Sequence, residues 1–219
     1  MWIKNIKKQI SYLKDGMWTI PNLLSVVRIL LIPVFIYLFY KGDILGAFIV
    51  ILVSGFTDAL DGLIARHFNQ ISNLGKLLDP LADKLNQVSI VIMLFIKFNS
   101  SNDKLIHSFS YVFIIFFVKE IIMVIGAVTL MMLGATPKSA EFYGKTATAV
   151  FYTVMILILA FGKNFGAFAA YYEMSDNLVI GFVILSAVLT IIALIAYIPD
   201  AIKQTKTKLN DMKLGEINE

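Results

Sequence analysis

The chain has 219 residues, 58% of them hydrophobic and 16% charged, with a mean hydropathy of +0.80; a soluble domain of this length carries more charge and fewer apolar residues. Cysteine is absent, which excludes disulfides and thiolate metal sites, and His67 and His107 are too few for a metal site built on imidazole. The net charge of +4 comes from 17 lysines and two arginines, Arg28 and Arg66. No arginine-rich or aromatic-interleaved basic segment points to nucleic acid, and a lipid bilayer with anionic headgroups fits the pattern instead.

Residues 1–18 place Ile3, Ile6, Ile10, Leu13 and Met17 at helical spacing, with Lys4, Lys7, Lys8 and Lys14 largely between them. That pattern predicts a short amphipathic helix lying in the membrane interface, anchored by Trp2 and Trp18. No small-residue cleavage site follows the first apolar run, so that run is expected to stay as an anchor.

Apolar runs near the length needed to cross about 30 Å of hydrocarbon then predict six spans, at residues 22–40, 45–65, 81–98, 108–133, 147–169 and 178–198. The expected fold is an all-α membrane protein, a six-helix bundle over residues 19–204, followed by a polar, partly disordered tail at 205–219. Lysines gather at the N-terminus, in the loops after the second and fourth spans and in the tail, whereas the opposite loops hold Lys41, Lys104 and Lys163 alone. Positive charge collects on the cytoplasmic side, so both termini are expected inside the cell membrane.

Residues 58–83 carry the chemistry. Asp58 and Asp61 stand i and i+3 at the end of one helix, and Asp79 and Asp83 stand i and i+4 at the start of the next. Each pair shares a helix face, and a loop of roughly a dozen residues between antiparallel helices lets the pairs meet. Four unpaired carboxylates at a bilayer edge repel one another and resist desolvation. Bound divalent metal resolves this, and all-oxygen ligands favour Mg²⁺, Mn²⁺ or Ca²⁺ over zinc. Mg²⁺ completes its shell with water and substrate phosphates, which predicts a phosphate-bearing substrate. Gly62 and Ala65 leave one helix face without bulk, so a flat ligand or a diphosphate can approach the backbone there. Gly75 either breaks the loop or serves close packing. Pro80 is expected to open its helix, with Asp79 as the cap.

This stretch resembles the signature of the CDP-alcohol phosphatidyltransferase family, D-x2-D-G-x2-A-R-x8-G-x3-D-x3-D. Asp58, Asp61, Gly62, Ala65, Arg66, Gly75, Asp79 and Asp83 fill every fixed position. The resemblance implies that Asp58, Asp61 and Asp79 hold a centre of two Mg²⁺ or Mn²⁺ ions. Asp83 would contribute to that centre and act as general base on the acceptor hydroxyl. Asp58, Asp61, Gly62, Ala65 and Arg66, with Gly75 and Asn22, would contact the CDP moiety. The acceptor oxygen would attack the phosphorus bearing diacylglycerol, and CMP would leave. It also implies a homodimer.

Residues 19–35 resemble the first span of bacterial phosphatidylglycerophosphate synthases, whose acceptor is sn-glycerol 3-phosphate. Cardiolipin synthases of the same superfamily, whose acceptor is phosphatidylglycerol, are similar there. Glycerol 3-phosphate is the expected acceptor and phosphatidylglycerol the alternative. Arg28, at membrane depth, requires a phosphate or a carboxylate partner: an acceptor phosphate, or an aspartate of the centre. Lys119-Glu120 interrupts the fourth span and Gly144-Lys145-Thr146 opens the fifth. The synthases carry Arg-Glu and G-K-x-K-T at these places, and here Ala147 replaces the second lysine. Lys119 and Lys145 are therefore candidate binders of an acceptor phosphate, or Lys119 and Glu120 neutralise something else inside the bundle, such as a partner across a dimer interface. Clustered acids also mark cation transporters. A transporter is expected to carry polar residues through both leaflets, whereas most outer halves here are apolar and no internal repeat is evident.

Overall fold

The structure, a computed structural model, describes residues 19–67, 75–132 and 141–217, with the backbone alone at 59, 61–67, 76–77, 127–128, 131–132, 141–143 and 208–217. The expected interfacial helix at 1–18 and the loop at 68–74 lie outside the described residues. Every long regular element among the described residues is an α-helix: α1 (Ile20–Tyr40), α2 (Ile44–His67), α3 (Gly75–Asn99), α4 (Lys104–Phe109), α5 (Phe113–Met132), α6 (Glu141–Phe161) and α7 (Asp176–Ile217). Among the described residues, four segments are long and apolar enough to cross a membrane: Ile20–Tyr40, Lys104–Gly126, Gly144–Phe161 and Asp176–Thr207. The protein is thus an all-helical, multi-pass membrane protein. In α2 the apolar stretch is the shorter Ile44–Asp58. α3 has 25 residues, about 37 Å of helix, but its first half carries Lys76, Asp79, Asp83, Lys84, Asn86 and Gln87.

The described residues form two compact units. The first comprises α1, α2, α3 as far as Met93, and residues 159–173. Thr19, in an extended conformation, caps α1 by accepting the Asn22 N–H, and Pro21 occupies the first turn, where its missing N–H leaves no bond unmade. Pro33 lies inside the same helix, so the carbonyl of Ile29 loses its ordinary partner. The helix ends at Gly42, whose φ of +83° is open to glycine without strain. Gly42 N–H donates to Phe39 O at 3.1 Å and Asp43 N–H to Leu38 O at 3.0 Å; this pair of bonds is a Schellman stop. Asp43 then accepts the Gly46 N–H at 2.9 Å and starts α2. A turn this short makes α1 and α2 a packed hairpin, with Phe35, Phe39, Ala47 and Ile51 buried.

The expected fifth span runs to residue 169, but α6 stops at Phe161 and the chain folds back. Asn164 takes a φ of +64°, and Ala167 and Phe168 N–H groups donate to Leu159 O and Ala160 O at 2.8 and 2.7 Å. A Cβ on Gly166 would lie 2.6 Å from the Gly162 backbone nitrogen, so no side chain fits there. Phe168 stacks edge-on against Phe48 and tilts against Phe161. Apolar composition masked this end in the sequence, because the aromatic residues after Phe161 pack as a turn.

The second unit comprises residues 94–158 and 174–219. Asp103 caps α4 by accepting the Leu105 and Ile106 N–H groups, and a 3-10 turn at Ser110–Val112 leads into α5. α5 packs on α7; there a Cβ on Gly126 would meet the Tyr197 hydroxyl at 2.6 Å, so the missing side chain is what admits the ring. α7 has 42 residues, about 63 Å, twice a hydrocarbon core. The expected disordered tail is helical to Ile217. Past Pro199 the sequence carries four lysines, which favour helix, and the Gln204 amide donates to Asp200 at 2.9 Å across one turn.

Candidate active site

Three helices of the first unit bring polar side chains together. α1 buries Asn22, Ser25 and Arg28 and turns Leu23 and Leu30 outward. In water this sorting is inverted; in lipid it is required, because an outward leucine costs nothing while a polar group must find a partner inside. Asn22 to Arg28 spans about 9 Å of helix.

Each partner comes from a different helix. Arg28 Nη1 lies 2.6 Å from Asp58 Oδ1 of α2. The arginine side chain is 1% exposed and the aspartate 54% exposed, so a buried cation holds a carboxylate that still opens outward. Ser25, 0% exposed, contacts Asp79 Oδ1 of α3 through its hydroxyl; the Ser25 Oγ also lies 3.0 Å from the Pro21 carbonyl oxygen. Deeper in the unit, Asn86 Nδ2 of α3 donates to Ser54 Oγ of α2 at 3.2 Å, which ties these two helices. Lys84 Nζ donates to Gln87 Oε1 at 3.5 Å.

Asp79 and Asp83 both repel Asp58 electrostatically, against the attraction of Arg28. The first and second carboxylate pairs of the sequence are therefore within electrostatic range of each other, through Asp58, Asp79 and Asp83. Asp61, Gly62, Ala65 and Arg66 lie in the last turns of α2, where the backbone alone is described. Gly75 is buried at the first residue of α3. Pro80 is the sixth residue of that helix and Asp79 the fifth, so Asp79 does not cap it: the helix begins one turn earlier, and the proline interrupts only its opening bonds. No three described His, Asp or Glu side chains already stand at metal-ligand spacing. The donors are nonetheless all carboxylate oxygens under mutual repulsion, the chemistry a hard divalent cation satisfies.

Two further expected residues belong to the second unit. Lys119 and Glu120 are buried in α5 and pair with each other, an arrangement the sequence reading did not anticipate. Lys145 is exposed in α6. Sequence reasoning passed over Ser25, Ser54 and Asn86. The available signal was spacing: Ser25 stands three residues from both Asn22 and Arg28 in an otherwise apolar span.

The family model for CDP-alcohol phosphatidyltransferases matches residues 18–198. The chain is 32% identical over 157 residues to the cardiolipin synthase (CMP-forming) of Streptomyces coelicolor, covering 68% of this chain and 69% of that protein. It is 53% identical over 74 residues to the Homo sapiens cardiolipin synthase (CMP-forming), covering 33% of this chain and 25% of that one. It is 45% identical over 87 residues to the CDP-diacylglycerol–glycerol-3-phosphate 3-phosphatidyltransferase of Rickettsia typhi, covering 38% of this chain and 48% of that one. No solved structure matches.

Proposed function

Because the chain belongs to the CDP-alcohol phosphatidyltransferase family and is thus a membrane transferase of phospholipid synthesis, we propose that Asp58, Asp61, Asp79 and Asp83 are the centre at which it transfers a phosphatidyl group from CDP-diacylglycerol to an alcohol. The observation that carries this is that Arg28 and Ser25, three residues apart on α1, hold Asp58 and Asp79, with Asp83 in electrostatic range of Asp58. The four aspartates would hold two Mg²⁺ or Mn²⁺ ions. Bound there, such ions neutralise the diphosphate and the charge on the departing CMP. Asp83 takes the proton of the acceptor hydroxyl; the hydroxyl oxygen bonds to the phosphorus bearing diacylglycerol, and the bond from that phosphorus to CMP breaks. Asn22, Gly62, Ala65, Arg66 and Gly75 would receive the CDP moiety. Arg28, already on Asp58, acts here by fixing that carboxylate rather than by binding the acceptor.

Two acceptors fit. Phosphatidylglycerol, giving cardiolipin, is supported by the Streptomyces relative, which matches about two thirds of both chains, and by Ala147 in place of the second lysine of the glycerol-phosphate motif. Glycerol 3-phosphate, giving phosphatidylglycerophosphate, is supported by the Rickettsia relative and by Lys145. We favour phosphatidylglycerol. Purified protein with CDP-diacylglycerol and each acceptor in turn decides it: CMP release with phosphatidylglycerol is expected, and release with glycerol 3-phosphate alone reverses the choice.

The proposed layout is six crossings, by α1, α2, α3, the α4–α5 segment, α6 and α7, preceded by the interfacial helix and assembled as a homodimer. The lysine distribution places both termini and the aspartates in the cytoplasm. In this cysteine-free chain, Lys213→Cys is expected to react with an impermeant thiol reagent only after cells are opened; labelling of intact cells contradicts the orientation.

A further inference from the structure

Ser25 has one proton and two acceptors, the Pro21 carbonyl at 3.0 Å and Asp79 Oδ1. The first contact is the ordinary back-bond of a serine inside a helix, four residues to its own carbonyl. The second is not local: it joins α1 to α3 across 54 residues of sequence. An ionised carboxylate is the stronger acceptor of the two, so with Asp79 charged the proton lies toward Asp79. Ser25 is 0% exposed, so no solvent replaces that bond.

Asp79 has two oxygens, and Ser25 engages Oδ1. Arg28, nearly one turn further along the same helix, forms an ion pair with Oδ1 of Asp58. One helix that is absent from the aspartate motif thus grips one oxygen of a carboxylate on each of the other two helices. We propose that Ser25 is a positioning residue: by occupying Oδ1 it fixes the Asp79 carboxyl in one orientation and offers Oδ2 to a divalent cation. This rests on the metal-centre reading above. Hydrogen-bond partners of ligating carboxylates act in this way, and their loss costs roughly 10–100-fold in metal affinity.

The test uses the full-length protein in detergent and two readouts: Mn²⁺ binding by calorimetry without substrate, and CMP release as a function of Mn²⁺. Ser25→Ala is expected to raise the Mn²⁺ dissociation constant and the Mn²⁺ midpoint of turnover about tenfold or more, with turnover at saturating Mn²⁺ much less affected. Ser25→Thr, which keeps the hydroxyl, is expected to restore the wild-type midpoint. Thermal melting of each variant separates loss of fold from loss of affinity, and Ser25→Cys, close in volume with a weak donor, serves if the alanine variant unfolds; it is expected to shift the midpoint in the same direction. An alanine or cysteine variant with an unshifted midpoint overturns the positioning role while leaving the centre intact. A wild-type protein that binds no Mn²⁺ and turns over in chelator overturns the centre itself, and the role of Ser25 with it.

Discussion

Each unit of the molecule contains a buried basic residue paired with an acid, and the two pairs are built differently. In the first unit Arg28 reaches across to Asp58 on another helix, 30 positions away in sequence, and the acid remains half-exposed. In the second, Lys119 closes on its neighbour Glu120, and both are buried. A pair between sequence neighbours neutralises itself wherever the helix goes. A pair between helices fixes where one of them stands, and a half-exposed carboxylate keeps oxygen lone pairs for something else. The difference separates an ion pair that makes a charge tolerable in lipid from one that prepares a charge for use.

Altering an acid of the first unit should therefore cost chemistry, and altering one of the second should cost stability. The largest effect is expected from Asp83→Asn: CMP release falls by about 10²–10⁴-fold, the range of a lost general base, while binding of CDP-diacylglycerol is retained. Full turnover in that variant removes Asp83 as the base. Next comes the contrast of paired replacements. Lys119→Met alone removes the cation beside a buried glutamate and is expected to cost about 3–5 kcal/mol, whereas Lys119→Met with Glu120→Leu returns to near wild-type melting, as replaced buried ion pairs often do. Arg28→Met with Asp58→Leu is expected to recover its fold by the same physics and to stay without CMP release. Recovered turnover in that second pair collapses the distinction between the two units.

Much of this was legible in the residues. The signature from Asp58 to Asp83 named the carboxylates, and Asp58 stands within electrostatic range of Asp79 and Asp83. What stayed hidden is what depends on contacts between distant segments. Ser25 in an apolar span reads as a small packing residue, and its bond to Asp79 exists only once α1 and α3 are adjacent. The partner of Arg28 was one of two possibilities until α2 took its place. The end of α6 at Phe161 was missed although Gly162, Lys163 and Asn164 carry a turn signal, because residues 165–170 are again apolar and hydrophobicity alone does not separate a folded-back turn from more helix. Pro80 misplaced the start of α3, since proline is common in a first turn but tolerable just beyond it.

The stop at Gly42 carries a consequence for the opposite end of the hairpin. Arg28 lies 14 positions before Gly42, about 21 Å along α1, yet the number of residues in that turn determines which face of α2 it meets. One extra residue between Tyr40 and Ile44, propagated into α2, would advance that helix by about 1.5 Å and rotate it by about 100°, carrying Asp58 away from the guanidinium. The turn acts as a vernier for the aspartate centre, and its length is a constraint of the same rank as the identity of the acids.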